Sequence, residues 1–404
     1  MADVAAAIAE TVRRERGPIL GGLLRFTGSL DAAEDALQEA VVAALTAWRD
    51  GVPPNAAAWL TTAAKNRVRD ARRHLAVVRA KAPLLSEDPV TEPADIDTLA
   101  DDHLRLLFAC CHPTLAVDSQ IALTLKLVSG FSTDEIARSF LVSEATVSQR
   151  VLRAKRKLEE LGAPLATPDR PELLARVGAV LGVIYAMFNE GHIGLAGPLM
   201  RVDLQAEALR LGRLVCDLAP REPEAFGLLA LMAFHAARAR TRVRADGTPV
   251  LLSEQDRESW DKELLREGLM GRARARSLGG HGSYVLQAEL AAVHVTAPSW
   301  ESTDWAAIVR LYDALDAEAP SPVVKLNRAI ALSMQQGPRA GLEALRPIAE
   351  ELEAYHLFYA TRADLLERAG GDPSPDLERA LALATNDGER RLLRERIARI
   401  ATRG

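Results

Sequence analysis

Helix-length segments with apolar residues at helical spacing recur through the second half of the chain, and turn residues separate them. They fall into consecutive pairs: 204–218 with 222–240, 256–277 with 283–295, 303–318 with 322–335, 338–353 with 355–369, and a last pair within 375–400. Each segment must bury its apolar stripe against a neighbour. The pattern therefore predicts antiparallel helical hairpins stacked one on the next.

The later pairs follow one another at about 34 residues, which is the pitch of tetratricopeptide-like hairpins. Such an array would present a concave surface to a partner. The strict repeat signature is absent, so a compact α-helical domain without a groove is the alternative. The segment from Arg242 to Pro249 interrupts the pattern and is predicted to be an exposed loop.

Composition supports helices throughout. Ala, Leu, Arg and Glu dominate and aromatic residues make up only 4%, which disfavours a β-sandwich or barrel. A chain of 404 residues with 48% apolar residues holds two or three domains with cores of their own. We predict an all-α fold, divided into segments 1–80, an acidic linker 81–99, a helical unit 100–163, and a helical-hairpin domain 170–404.

Several classes of protein are disfavoured. No apolar run reaches about 18 residues, so no membrane span is predicted. The N-terminus has no basic region before an apolar core, so no signal peptide is expected. Three cysteines do not form a disulfide framework, and a cytoplasmic location is the simpler interpretation.

The net charge of -5 conceals a pattern along the chain. Seven basic residues and one acid, Asp70, lie between positions 65 and 81: Lys65, Arg67, Arg69, Arg72, Arg73, Arg79 and Lys81. Segment 86–102 is acidic and has no Lys or Arg. A second basic cluster then follows: Arg150, Arg153, Lys155, Arg156 and Lys157. Two basic faces on either side of an acidic connector keep nucleic acid open as a partner.

Two helices are predicted in the first segment. Asp31 is expected to cap the first, whose apolar face is Leu37, Ala40, Val41, Ala44, Leu45 and Trp48. Its polar face carries Glu34, Asp35, Gln38 and Glu39. Asn55 is expected to cap the second helix, which turns these residues inward: Trp59, Leu60, Ala63, Ala64, Val68 and Ala71. The first basic cluster then lies on its outer face.

A helix-turn-helix is predicted over residues 130–158. Ser132 and Glu135 form a capping box for a short helix, and Ser143 caps a second. That second helix is expected to bury Val147, Val151, Ala154 and Leu158. Its other face would bring polar side chains to base edges and basic ones to phosphates: Thr146, Ser148, Gln149, Arg150, Arg153 and Arg156. The alternative is an ordinary helical hairpin with a solvated charged face.

This segment resembles the C-terminal DNA-binding region of extracytoplasmic-function (ECF) sigma factors, of the sigma-70 family. The resemblance is carried by Gly130, Asp134-Glu135, Ile136-Ala137, Thr146-Val147, and Ala154 to Leu158. Leu141 departs from it, since the family usually has Gly in this turn. The resemblance implies contact with the −35 promoter element through Thr146, Ser148, Gln149, Arg150, Arg153, Lys155, Arg156 and Lys157.

The first segment resembles the same family independently. Residues 31–44 are similar to the helix that docks on the clamp of RNA polymerase, which implies a polymerase-binding role for Asp35, Gln38 and Glu39. Residues 59–73 are similar to the helix that melts the −10 element, which implies a DNA-binding role for Trp59, Asn66, Arg67, Arg69, Arg72 and Arg73. An indole can support an unstacked base, and the cations can hold the single strand. The alternatives are a polar surface helix and a solvated basic face.

The whole architecture resembles an ECF subgroup with a C-terminal tetratricopeptide-like extension, through segments 107–113, 185–192, 282–288 and 380–400. The resemblance implies an alternative sigma factor whose extension controls its activity. Its implied partners are core RNA polymerase at the clamp and flap, promoter DNA, and a regulatory protein or ligand at the C-terminal domain, with no membrane. The acidic linker would thread the RNA exit path, or serve only as a spacer.

Other interpretations remain open beside this one. A helix-turn-helix regulator with a helical sensor domain, not acting as a sigma subunit, is the alternative function. No nucleophile–base set indicates an enzyme, and no cofactor is expected. Cys110-Cys111-His112 is interpreted as core packing rather than a metal site, because adjacent helical side chains point about 100° apart. Segment 189–192 could line a small-molecule pocket or cap a helix.

Overall fold

A computed structural model describes residues 2–49, 51–80, 106–140, 142–160, 170–193, 198–244, 246–385 and 387–401. Regular structure in these ranges is helical, apart from one isolated β-bridge between Val243 and Pro249. The all-α prediction is therefore confirmed. None of the helices in these ranges is long and apolar enough to cross a membrane. The chain divides into two compact units, residues 1–186 and 187–404.

The first unit opens with three mutually packed helices: α1 (Ala2–Thr27), α2 (Leu30–Ala47) and α3 (Ala56–Ala80). Leu23, Leu37, Trp48 and Leu60 are among the side chains that form their buried core. Most of the predicted apolar face of α2 is confirmed, but Leu45 is 47% exposed.

The caps of these helices are set by short polar side chains. Asn55 caps α3 as predicted, because its Oδ1 accepts from the Ala58 N–H at 2.9 Å. The predicted cap of α2 is wrong. Gly28 has a φ of 72°, and Ser29, in extended conformation, caps the helix by accepting from the Ala32 N–H. Asp31 therefore lies in the first turn of α2.

The rest of the first unit begins with a helical turn over 106–110. It continues with α4 (Val117–Leu123), which passes into a π-helical turn (Thr124–Val128), then α5 (Thr133–Phe140) and α6 (Glu144–Glu160). Both α4 and α5 pack against α6. The π-turn closes with wide backbone bonds from Ser129 N to Thr124 O and from Phe131 N to Leu125 O.

The second unit is a succession of helices, and α7 (Arg170–Ile193) runs into it. They are α8 (Pro198–Leu218), α9 (Pro223–Ala237), α10 (Lys262–Ser277), α11 (Ser283–Thr296), α12 (Trp305–Glu318), α13 (Pro322–Gln336), α14 (Pro338–Leu345), α15 (His356–Ala369), α16 (Ser374–Leu383) and α17 (Asp387–Ala401). From α8 onward each helix packs against the next, and α9 also packs against α11. The predicted helix pairs are present, with shifts at their ends.

Two of those shifts have local causes. α10 begins at Lys262 rather than near 256, because Asp261 accepts from the Glu263 and Leu264 N–H groups. α14 ends at Leu345 and a 3-10 turn (Arg346–Ile348) follows, since Pro347 supplies no N–H for a longer helix.

The interrupting loop at 242–249 is only partly exposed. Asp246 is exposed as predicted, but Thr248 is fully buried. Arg391 of α17 donates to the Asp246 carbonyl at 2.5 Å and to Thr248 Oγ1 at 3.4 Å. The loop is therefore tied to the last helix of its own unit.

Some predictions lie outside the described residues. These are the acidic linker 81–99, residues 100–105 of the helical unit, Leu141 in the turn, the boundary at 161–169, and the side chains of Ala71, Arg72, Arg79 and residues 190–193. Their sequence-based interpretations stay predictions.

Candidate nucleic-acid interface

Local capping fixes the helix-turn-helix formed by α5 and α6. The predicted capping box at α5 is confirmed: Ser132 N donates to Glu135 Oε2 at 2.7 Å, and Glu135 N donates to Ser132 Oγ at 3.1 Å. Ser143 caps α6 as predicted, accepting from the Thr146 N–H at 3.1 Å. These side chains satisfy N–H groups that a helix start leaves unpaired, so both helices begin at defined residues.

The two faces of α6 divide as the sequence predicts. Val147, Ala154 and Leu158 are buried, and Val151 is half-buried. Five of the predicted −35 residues are exposed on the helix: Ser148, Gln149, Arg153, Arg156 and Lys157. Thr146 is half-buried, and its hydroxyl contacts Ser143 Oγ at 2.8 Å. The exposed set combines amide, hydroxyl and guanidinium groups, which suits both base edges and phosphates.

Two further predicted −35 residues are engaged within the first unit. Arg150 Nη2 lies 3.0 Å from Asp118 Oδ2 on α4. Lys155 Nζ lies 2.6 Å from Asp31 Oδ1 and is also bonded to Glu34 Oε2, both on α2. Burial alone would lower the pKa of Lys155, but the two carboxylates outweigh it and the pKa is raised. Lys155 is therefore held as a cation against α2.

The predicted −10 residues lie along α3. Asn66, Arg67, Arg69 and Arg73 are exposed. The Arg69 guanidinium lies 5.8 Å from the Phe26 ring centroid, and this cation–π contact attaches the side chain to α1. Trp59 is half-buried and meets the buried Trp48 edge to face, with ring centroids 5.5 Å apart. Part of the Trp59 ring thus remains accessible on the helix that carries the cations.

The predicted polymerase-binding residues Asp35, Gln38 and Glu39 are exposed on α2. They line an open groove of about 830 Å³ that Arg67 of α3 also lines. Arg67 Nε lies 3.8 Å from Glu39 Oε2, so the structure brings the polymerase-binding and −10 sets together.

Sequence reasoning missed one component of this groove. Val42, 60% exposed, lies on its wall. Its spacing of four residues from Gln38 was the available signal, because that spacing places both on one face of the helix.

The cysteines belong to the cores. Cys110, Cys111 and Cys216 are buried free thiols. Cys111 Sγ lies 3.7 Å from Thr124 Oγ1, and burial raises its pKa to about 12. The described ranges contain no group of three or more His, Cys, Asp or Glu that could hold a metal ion.

Comparison with known proteins assigns these helices to a family. Residues 11–76 match the family model for Sigma-70 region 2, and residues 105–158 match that for Sigma-70, region 4. Over 149 residues the chain is 32% identical to the ECF RNA polymerase sigma factor SigL of Mycobacterium tuberculosis, covering 34% of this chain and 81% of that protein. The chain belongs to the ECF sigma factors of the sigma-70 family.

This ECF sigma factor carries a C-terminal extension beyond region 4. Residues 176–276 match a family of unknown function, DUF6596. An uncharacterized protein of Rhizobium meliloti (strain 1021) is 42% identical over 397 residues, covering 96% of this chain and 94% of that protein. No solved structure matches the chain. Sigma factors are not a class of enzymes.

Proposed function

We propose that this ECF sigma factor directs core RNA polymerase to specific promoters, and that its C-terminal helical unit controls that activity. One observation carries the proposal: two exposed basic helices, α3 and α6, occur in one chain, and each lies within a sigma-70 region match. A regulator that binds only duplex DNA has no need of α3.

The −35 element is assigned to α6. Ser148 and Gln149 lie near its N-terminus, where side chains reach base edges in the major groove, and a glutamine amide pairs with adenine in two hydrogen bonds. Arg153, Arg156 and Lys157 follow toward the C-terminus and are suited to phosphates. Arg153 Nη2 donates to Gln149 Oε1 at 3.3 Å, which orients the amide.

The −10 element is assigned to α3. Asn66, Arg67, Arg69 and Arg73 form an exposed polar track that can follow a single-stranded backbone. The accessible part of Trp59 is placed to support a base that leaves the stack. Stacking and phosphate contacts together are what melting a duplex requires.

Core polymerase is assigned to the groove on α2. Asp35, Gln38 and Glu39 supply hydrogen-bonding and charged groups, and Val42, which is exposed, supplies apolar surface beside them together with Ala43 and Ala47. An apolar centre with polar groups around it is the usual composition of a specific protein interface. The closeness of Arg67 would place the −10 strand at the edge of the bound polymerase.

Control is assigned to the second unit. It packs as consecutive helices with buried clusters of its own, such as Leu326, Phe358 and Leu365. A stacked helical array offers a long surface to a partner. Because the second unit is compact by itself, a signal can act on it without unfolding the sigma regions.

Promoter-dependent transcription with purified core polymerase tests the sigma activity. The double variant Asp35→Ala/Glu39→Ala is expected to bind core polymerase roughly tenfold more weakly and to initiate correspondingly less. The matched control Glu159→Ala/Glu160→Ala removes two exposed carboxylates at the end of α6 and should leave polymerase binding unchanged. A full chain that binds duplex DNA but neither binds polymerase nor initiates would establish the helix-turn-helix regulator instead.

A chain ending at Ala186, the last residue of the first unit, tests the control by the second unit in the same assay. Either loss of initiation or a gain over the full chain supports control, and the sign identifies the extension as activator or inhibitor. Control by the second unit would be refuted if both chains supported equal promoter-dependent transcription and responded equally to added cell extract.

A further inference from the structure

Two arginines and a histidine of the second unit come together from three segments. Arg238 follows the last residue of α9, Arg257 opens a 3-10 turn before α10, and His294 lies in the last turn of α11. Both guanidiniums lie against the Trp260 ring, at 5.7 and 4.8 Å from its centroid, and both lower the pKa of His294. We call Arg238, Arg257 and His294 the arginine–histidine cluster.

Hydrogen bonds to neutral acceptors hold the cluster in place. Arg257 Nη1 donates to the carbonyls of His294 and Ala297, at 2.7 and 2.8 Å. Arg238 Nε donates to Gln255 Oε1 at 3.1 Å. These bonds position the two guanidiniums without neutralising their charge.

The positive charge of the cluster is not balanced. Among the residues that the structure describes, no carboxylate forms an ion pair with Arg238 or Arg257, and the effect of exposed Glu301 on the pKa of Arg257 is smaller than that of burial. Burial and the charges of Arg242 and Arg257 lower the pKa of Arg238 to about 10. Other partly buried arginines of this unit do have carboxylate partners: Arg272 with Glu289, Arg362 with Asp376, and Arg396 with Glu367.

The cluster also has unused hydrogen-bonding atoms. Arg257 Nη2 and His294 Nδ1 are buried and have no partner in the described part of the chain. Buried polar atoms are nearly always bonded, so each of these two has room for a partner that comes from outside the chain. All three side chains of the cluster keep some exposed surface, and so does Trp300, which stacks on His294. A small molecule can therefore reach polar atoms and an aromatic surface at one place.

A guanidinium offers paired N–H donors that match the two oxygens of a carboxylate or phosphate, and a neutral imidazole can donate from Nδ1. We propose that the arginine–histidine cluster binds the carboxylate or phosphate group of a small organic molecule, whose apolar body lies against Trp300. The anion would supply the missing negative charge and a partner for Arg257 Nη2. The inference goes beyond the proposed function and does not rest on it, because it assigns a ligand class to the second unit whatever that unit controls.

Titration calorimetry on the full chain, at one fixed pH and in chloride buffer, tests the site with two probes, benzoate and phenyl phosphate. At least one should bind saturably, and the tighter of the two distinguishes a carboxylate from a phosphate ligand. At about five times its dissociation constant that probe should raise the melting temperature by about 2–4 °C. Benzamide has the shape of benzoate without its charge, and it should bind at least roughly tenfold more weakly than the preferred anion.

The variant Arg238→Gln locates the binding. It keeps a long polar side chain but removes one cation, and it should weaken binding of the preferred probe roughly tenfold or more. The matched control is Arg240→Gln, which removes an exposed cation two residues further along the chain. That control should change the affinity by less than about twofold.

Two results would overturn the inference. The first is that neither anion binds saturably to the unsubstituted chain, or that benzamide binds as tightly as the anions. The second is that Arg238→Gln binds the preferred probe as tightly as the unsubstituted chain does. If Arg238→Gln fails to fold, the comparison of the anions with benzamide on the unsubstituted chain decides the question.

Discussion

His294 shows how much one buried side chain can determine. Its ring stacks on Trp300 at 6.2 Å and meets Trp305 edge to face at 5.5 Å. Its Nδ1 is buried and has no hydrogen-bond partner among the described residues. Burial, together with the nearby guanidiniums of Arg238 and Arg257, lowers the pKa of His294 to about 4. The fold of the second unit therefore favours the neutral form of His294.

Acid should destabilise the protein through this histidine. Because the folded-state pKa lies below the ordinary value, the unfolded chain binds the proton first, and stability present above about pH 6.5 is lost as pH falls toward about 4. The loss amounts to at most roughly 3 kcal/mol. His294→Phe keeps an aromatic ring between the tryptophans but cannot titrate. Thermal unfolding across this pH range should show a shallower fall for His294→Phe, and identical falls would contradict the assignment.

Residue-scale features could be predicted where the partner is close in sequence. The capping box of Ser132 and Glu135 spans three residues, so the sequence itself contains both halves. The start of α2 offered two acceptors within three residues, Ser29 and Asp31. The left-handed turn at Gly28 selects Ser29 as the cap. Backbone geometry of that kind cannot be predicted from the chemistry of the side chains.

Helix α9 packs closely because two glycines allow it. A Cβ at Gly227 would lie 2.7 Å from the Val285 backbone nitrogen on α11. A Cβ at Gly268 of α10 would lie 2.5 Å from the Phe234 ring on α9. Both distances are shorter than a methyl group tolerates, so the spacing between these helices depends on the missing side chains.

Gly227→Ala should destabilise the protein by about 1–3 kcal/mol, because the clash is with backbone that cannot turn away. Gly178→Ala is the matched comparison in α7: nothing lies within 4 Å of its added methyl. That change should stabilise its helix by about 0.5–1 kcal/mol through helix propensity. Scanning calorimetry measures both. The same sign for the two variants would contradict the packing argument.

Helices were predictable as elements because apolar spacing repeats along each one. The junctions between helices were less predictable. The π-helical turn at 124–128 continues α4 without any break in the sequence pattern. The loop at 242–249 looks hydrophilic, yet Arg391 holds Thr248 from 143 residues away. Partners that far apart cannot be paired from local pattern.

At the scale of the molecule, duplex binding should depend strongly on salt. The slope of log affinity against log salt falls by about 0.9 for each phosphate that the protein no longer neutralises. Arg156→Gln removes an exposed cation from α6 and should lower the slope by about that amount for every duplex sequence.

Arg276→Gln is the control for that measurement, since Arg276 is a 63% exposed cation in the second unit. Binding isotherms at several salt concentrations measure both variants. An unchanged slope in Arg156→Gln would remove that residue from the DNA interface.

The order of the modules was readable from the chain, but their contact was not. Charge patterning sets the acidic linker between the two basic clusters along the sequence. The structure pairs Lys155 with carboxylates of α2 instead. Those carboxylates belong to α2, whose polar face was already predicted to bind polymerase. Nothing in the sequence distinguishes Asp31 and Glu34, which pair with Lys155, from the other acidic residues of that helix.

Lys155 is paired with two carboxylates of α2 and is also proposed to contact promoter DNA, and a residue with both roles would restrict how the protein can evolve. A substitution there that changes the proposed promoter contact also changes the ion pairs between α6 and α2. The strength of that promoter contact and the pairing of α6 with α2 could therefore not be adjusted separately at this position. A lineage that needs to alter one without the other would do so at residues such as Arg153 or Arg156, whose side chains are exposed on α6.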